Sequence, residues 1–231
     1  MALVINDKYI FLHIPKTGGN SFREFIDENT SIKQKEIGHK HATYDYLCGN
    51  YGGFFSFYGH KLKRHFKIYE SKIENLIPVT IIRNPINWYE SWYKYQKARS
   101  SFNNGSYITK WGDINSLTNW HVMSALNDIK FDSFDSFVNE ILERNPNFVS
   151  QLYYRYIIHP QTIILKLENL TIDFSKEISK LSFNQNEFSL NYFPRIRPSS
   201  TNKLVWEKKT LDKLLNAEKY FFNKYDYYVI R

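Results

Sequence analysis

The residues best equipped for chemistry stand together in "FLHIPKTGGNSF", residues 11–22. An apolar run stops at Pro15, and Lys16, Thr17, Gly18, Gly19, Asn20 and Ser21 follow. Phe22, Phe25 and Ile26 then fall at helical spacing. A glycine-rich turn between a strand and a helix lets backbone N–H groups converge on one point, where the helix N-terminus adds partial positive charge. A phosphate or sulfate fits such a place. Gly18 and Gly19 permit close approach and unusual backbone angles. Thr17, Asn20 and Ser21 offer side-chain donors, and Lys16 a full charge. In a Walker A loop the lysine follows the glycines. Here it precedes them, and no glycine stands five residues upstream of it, which disfavours an ATPase or GTPase.

A second constellation lies in "IIRNPINWYESWYKY", residues 81–95. Arg83 ends an apolar, β-branched run, Pro85 breaks it, and Ser91 falls on the helix expected next. An arginine at the carboxyl end of a strand can hold a phosphate through a bidentate contact. Ser91, under two helical turns on, can reach the same anion.

"HIPKTGGNSF" resembles the 5′-phosphosulfate-binding loop of sulfotransferases that use 3′-phosphoadenosine-5′-phosphosulfate (PAPS). It is most similar to the carbohydrate-type and related bacterial enzymes, whose turn reads P-K-x-G-[GT]-[TN]-S. In that family a strand ends in R-[ND]-P with a serine about eight positions after the arginine, and Arg83, Asn84, Pro85 and Ser91 match. The role this implies for Arg83 and Ser91 is recognition of the cofactor's 3′-phosphate. Weaker matches follow in order. "ILKLENL" (residues 164–170) resembles a family strand ending, and "RIRPSSTNK" (residues 195–203) the basic, serine-containing loop that closes over the nucleotide. Arg197 and Ser199 are thereby implied as cofactor-binding. "YFFNKYDYYVI" resembles the family's aromatic ending. The resemblance runs along nearly the whole chain, although only the first two motifs are specific. One departure stands out: many relatives read R-[ND]-P-x-x-R, and the last position here is Trp88, which puts in question how the outer phosphate is held.

The resemblance implies in-line transfer of SO3 from PAPS to an acceptor hydroxyl or amine. Negative charge then grows on the oxygen between sulfur and the 5′-phosphate, and Lys16 is placed to stabilise it as electrostatic or acid catalyst. A base must take the acceptor's proton, and histidine suits neutral pH. "IGHKHATYDYL" (residues 37–47) lies where relatives place a catalytic carboxylate or histidine. His41 is the first choice, with His39 and His60 behind it and Asp45 or Glu36 as substitutes. No spacing of His, Cys and carboxylates points to a metal, and the family generally needs none. The aromatic segments can line a sugar-stacking cleft, so a saccharide is the preferred acceptor, ahead of a lipid, a small metabolite or peptide tyrosine. The alternatives are a non-catalytic anion- or glycan-binding module and a P-loop-type nucleotide kinase.

The elements that must position these groups are those of a globular α/β protein. With 231 residues, 42% of them hydrophobic and 18% aromatic, the chain can bury a sizeable core. A formal charge of +8 favours an anionic partner. The densest basic patch, "HKLKRHFK" (residues 60–67), is too short for a nucleic-acid tail and reads as solvated surface. Cys48 is the only cysteine, which excludes an internal disulfide and a cysteine-rich metal site. No run approaches the roughly 18 apolar residues of a membrane span, and no secretory signal is evident, so the expected compartment is the cytoplasm.

Residues 8–14 read as a buried strand, Ser21-x-x-Glu24 as a capping box on the next helix, and residues 77–95 as a second strand-turn-helix unit. "CGNYGGFFSFYGH" reads as loop and residues 101–116 as an exposed excursion. Phe134, Phe137, Val138, Ile141 and Leu142 make one helical face. Residues 161–167 make a third strand, and an amphipathic helix opens the tail. Strands alternating with helices predict one domain over residues 1–231, with a central parallel sheet flanked by helices. The resemblance narrows that to the P-loop-NTPase-like sulfotransferase fold.

Overall fold

The computed structural model describes residues 2–28, 32–48, 73–100, 105–109, 123–178 and 204–227. The chain opens with β1 (Ala2–Ile5), β2 (Tyr9–Leu12), α1 (Gly19–Glu28), β3 (Gln34–Ile37) and the short α2 (Tyr44–Leu47). β4 (Ile77–Ile82) leads into α3 (Pro85–Arg99), and β5 (Tyr107–Ile108) and β6 (Lys130–Phe131) precede α4 (Phe134–Arg144) and α5 (Phe148–Ile157). β7 (Ile163–Lys166), α6 (Leu170–Ile178), α7 (Lys208–Ala217) and α8 (Lys219–Lys224) complete the described elements.

The main sheet has the order β3-β1-β2-β4-β7. β4 pairs in parallel with β2 and with β7, so Leu12 lies opposite Thr80 and Ile82 opposite Lys166. β1 runs antiparallel to both its neighbours. The sheet is therefore mixed and mostly parallel, where a purely parallel one is predicted. The difference lies in two short strands: β1, an apolar run of only four residues, and the polar β3. β1 returns into β2 through Asn6 and Asp7 at φ 51° and 50°, a left-handed geometry these two residue types tolerate. β3 is a polar edge strand with only Ile37 buried. The central strands read clearly because they are covered on both faces and so are continuously apolar.

Contacts divide the chain into two compact units: Met1–Ile82 with Tyr153–Ile196, and Arg83–Leu152 with Arg197–Arg231. The first contains the sheet. Its alternate residues Leu3, Ile5, Tyr9, Phe11, Val79, Ile81 and Leu165 share one face and pack with Phe22, Phe25 and Ile26 of α1 and with Leu170 and Phe174 of α6. Residues on the other face, Ile10, Leu12, Thr80 and Ile82, are buried too. α1 starts at Gly19, and the N–H groups of Ser21 and Phe22 already bond the Gly18 carbonyl. Ser21 thus lies inside the first turn, and the predicted capping box with Glu24 is not formed.

The second unit is built around aromatic residues of α3. Asn84 caps this helix by accepting from the Ile86 N–H at 2.9 Å, and Pro85 occupies its first position. Trp88 and Trp92 stack at 5.9 Å, with Phe148 5.7 Å from Trp88. Tyr93 packs among Phe131, Phe134 and Phe137. The predicted stripe of α4 is buried in full, and Ser133 begins that helix with a capping box. Thr109, in the segment expected to be an exposed excursion, is buried, donates to the Leu126 carbonyl and accepts from the Ile129 N–H. Glu218, between α7 and α8, is fully buried and accepts from the Val149 and Ser150 N–H groups, each at 2.9 Å. It thereby caps α5 from a distant part of the chain, and burial raises its carboxyl pKa above the ordinary value.

Candidate anion site at the first turn

Leaving β2, the chain passes His13 and turns over residues 15–18 into α1. Lys16 and Gly18 take positive φ, 67° and 86°. For a lysine this costs about 1 kcal/mol, strain of a kind that collects at functional sites. Thr17 is fully buried and its hydroxyl donates to the Ile14 carbonyl at 2.9 Å, so its side chain holds the turn closed from within. The N–H groups of Gly19 and Asn20 come before the first intrahelical bond and face the end of the helix.

The glycines have identifiable neighbours. A Cβ on Gly18 would meet Leu167 Cδ1 at 2.4 Å. A Cβ on Gly19 would meet the His13 ring, with Cδ2 at 2.4 Å and Nε2 at 2.6 Å. What approaches Gly19 is thus an imidazole of the same chain. His13 is 6% exposed, and its ring centroid stands 4.9 Å from that of His41. Burial first, then the charges of His41 and Lys40, hold its pKa well below the usual imidazole value.

His41 arrives from the segment between β3 and α2. Its Nδ1 lies 3.0 Å from the His13 carbonyl, an acceptor only, so Nδ1 carries the hydrogen and Nε2 the lone pair. Burial lowers the His41 pKa to about 4, against the opposing effect of that hydrogen bond. The Tyr156 hydroxyl anchors the loop by donating to the His41 carbonyl at 2.8 Å. The His41 N–H donates to His39 Nδ1 at 3.2 Å, and burial lowers the His39 pKa as well. Lys40 Nζ donates to Asn20 Oδ1 at 2.6 Å, which ties the histidine segment to the first turn of α1. Glu36 is paired with Arg23, while Asp45 sits in the first turn of α2.

The structure thus gathers the turn of Lys16, Thr17, Gly18, Gly19, Asn20 and Ser21 with His39 and His41 in one unit. It adds His13 and Lys40, which the sequence reading did not single out. Their signals were present: His13 directly precedes the turn, and Lys40 lies inside "HKH". Among the described residues no group of three His, Cys, Asp or Glu side chains could hold a metal.

Arg83 and Ser91 belong to the second unit. Arg83 immediately precedes the cap of α3, half-buried, and Ser91 lies on that helix, 8% exposed. Trp88 is wholly buried against Trp92, Tyr89 and Phe148, so the position where an R-[ND]-P-x-x-R pattern would place a second arginine is core here. Arg197, Ser199, His60 and the patch of residues 60–67 lie outside the described residues, as does all of "CGNYGGFFSFYGH" but Cys48. No described helix is long and apolar enough to cross a membrane. Compared with protein-family models, with curated proteins and with solved structures, the chain finds no match.

Proposed function

We propose that the chain is a sulfotransferase of the P-loop-like kind that takes PAPS as donor and a hydroxyl, preferably of a saccharide, as acceptor. The observation that carries this reading is the turn before α1. A lysine and a glycine at positive φ, the leading N–H groups of a helix, a second lysine and three imidazoles meet there. Such a cluster favours an oxyanion over any neutral or cationic ligand.

In this reading the backbone N–H groups of Gly19 and Asn20 hold the 5′-phosphosulfate, with Ser21 beside them. Lys16 stabilises the charge that grows on the bridging oxygen as the S–O bond to the phosphate breaks. The acceptor oxygen forms the new bond to sulfur from the opposite side, and its proton passes to His41 Nε2. Anionic charge in the site favours the imidazolium that results. Arg83 and Ser91 take the 3′-phosphate and Arg197 and Ser199 close over the nucleotide, roles that rest on the motif resemblance.

The test is calorimetry with adenosine 3′,5′-bisphosphate, the product of such a transfer. Binding is expected for the wild type, weakened about 30-fold by Lys16→Ala and by Arg83→Ala, the effect of losing one charge-assisted hydrogen bond. A wild-type protein that binds no bisphosphate overturns the reading. The low pKa of His41 favours one second reading, an anion-binding module without turnover, because a base near 4 is weak at neutral pH. Mass spectrometry of acceptor mixtures incubated with PAPS separates the two. A sulfated product lost in Lys16→Ala supports transfer, and binding without product from any acceptor class supports the module.

A further inference from the structure

The His13 imidazole has no part in the mechanism above, yet its ring is what a side chain on Gly19, the first residue of α1, would meet. Its ring is nine-tenths buried, and Nε2 lies where a side chain on Gly19 would otherwise be. Among the described residues no side chain or backbone group is seen to hydrogen-bond either ring nitrogen, while the His13 carbonyl meets His41 Nδ1. A polar ring atom that no protein group meets is completed by water or by a ligand. The surroundings explain its charge state. Phe11 lies on the sheet side, Arg23 on α1, and Lys40 and His41 on the segment before α2, with His39 beyond His41. These neighbours are cationic, titratable or apolar, and together with burial they keep His13 neutral.

An oxyanion seated at the first turn reverses that balance, since an opposite charge at hydrogen-bond distance favours the imidazolium. We propose that His13 is a ligand-binding residue of this site: its Nε2 donates to the bound oxyanion, and the ring takes up one proton from solvent as the anion binds. The inference rests on the anion-binding part of the proposed function and is independent of sulfuryl transfer. No covalent bond changes; the imidazole gains a proton as the anion enters and returns it when the anion leaves. Coupling of this kind tightens anion binding as pH falls, by up to tenfold per pH unit between the free and bound values of His13.

Inorganic sulfate is the first probe, because it does not itself titrate near neutrality. Its affinity for the wild type, followed by calorimetry from pH 7.5 to 5.5, is expected to rise about tenfold per unit over the steepest part. In buffers of different ionisation enthalpy the wild type is expected to take up close to one proton per sulfate. His13→Gln keeps a donor but cannot titrate, so its sulfate affinity is expected to be flat with pH and its proton uptake to fall by at least half. Nitrogen-15 NMR of histidine-labelled wild type gives a readout that needs no variant: the His13 ring is expected to move from neutral to imidazolium as sulfate is added at pH 6. A ring that stays neutral with sulfate bound overturns the proposal, as does proton uptake undiminished in His13→Gln. A protein that binds sulfate with proton uptake but no adenosine 3′,5′-bisphosphate supports the role of His13 and overturns the proposed function. One that binds the bisphosphate with no change at His13 does the reverse, and one that binds neither overturns both.

Discussion

Replacing His41 by glutamine removes an imidazole that burial holds at a pKa of about 4, against an ordinary 6.5. A histidine with a lowered folded pKa binds fewer protons folded than unfolded between those two values. Its contribution is therefore intact above the unfolded pKa of 6.5 and is lost as pH falls toward 4. At about 1.4 kcal/mol per unit, the loss comes to about 2 kcal/mol between pH 7 and 5, and about 3 kcal/mol by pH 4. Glutamine can still donate an amide N–H to the His13 carbonyl but does not titrate. Urea unfolding of both proteins across this range gives a difference in which other titrating groups largely cancel. Two of them are prominent. His13 is lowered like His41 and destabilises the fold in acid, whereas Glu218 is raised and adds stability as pH falls through its folded value. The variant is expected to gain about 2 kcal/mol on the wild type between pH 7 and 5. A difference that stays flat refutes the premise that the His41 ring is shielded from water.

Three further perturbations follow from packing. Gly19→Ala puts a methyl group 2.4 Å from His13 Cδ2, and overpacking of this kind is expected to cost about 1–3 kcal/mol in urea unfolding. His13→Ala in the same chain should restore part of that loss, and no restoration refutes the contact as its cause. Trp88→Arg completes an R-N-P-x-x-R pattern, but at a wholly buried position it is expected to cost more than about 3 kcal/mol, read as a large fall in Tm. A variant with wild-type Tm and tighter bisphosphate binding refutes the core assignment. Glu218→Ala leaves two N–H groups at the start of α5 without their acceptor and is expected to cost about 3 kcal/mol; a midpoint shift equal to that of an exposed control such as Glu143→Ala refutes the capping role.

Much of the fold was legible because it is written in neighbouring residues. The stripe of Phe134, Phe137, Val138, Ile141 and Leu142 specifies a helix face, and the Asn84-Pro85 pair specifies where α3 begins. β4 reads as a strand because six residues in a row suit a covered parallel position. β1 and β3 were not legible. Four apolar residues ahead of a left-handed Asn-Asp turn are too short a run for periodicity to mark as a strand, and a polar edge strand carries little apolar pattern. The capping box failed for a local reason. Ser21 and Glu24 have the right spacing, but Gly18 at positive φ starts α1 before Ser21 can act as its cap.

That a lysine and two glycines stand between a strand and a helix, an arrangement suited to an oxyanion, is readable from six consecutive residues. Which other side chains surround the turn is set by folding. His13 fills the space Gly19 leaves, Lys40 reaches Asn20, and His41 leans on the His13 carbonyl. It also decided that Trp88 belongs to the core and that Glu218 closes the end of α5. One cause underlies these cases. Burial, close contact and the pKa shifts they produce depend on residues brought together from distant parts of the chain, and no local spacing encodes them.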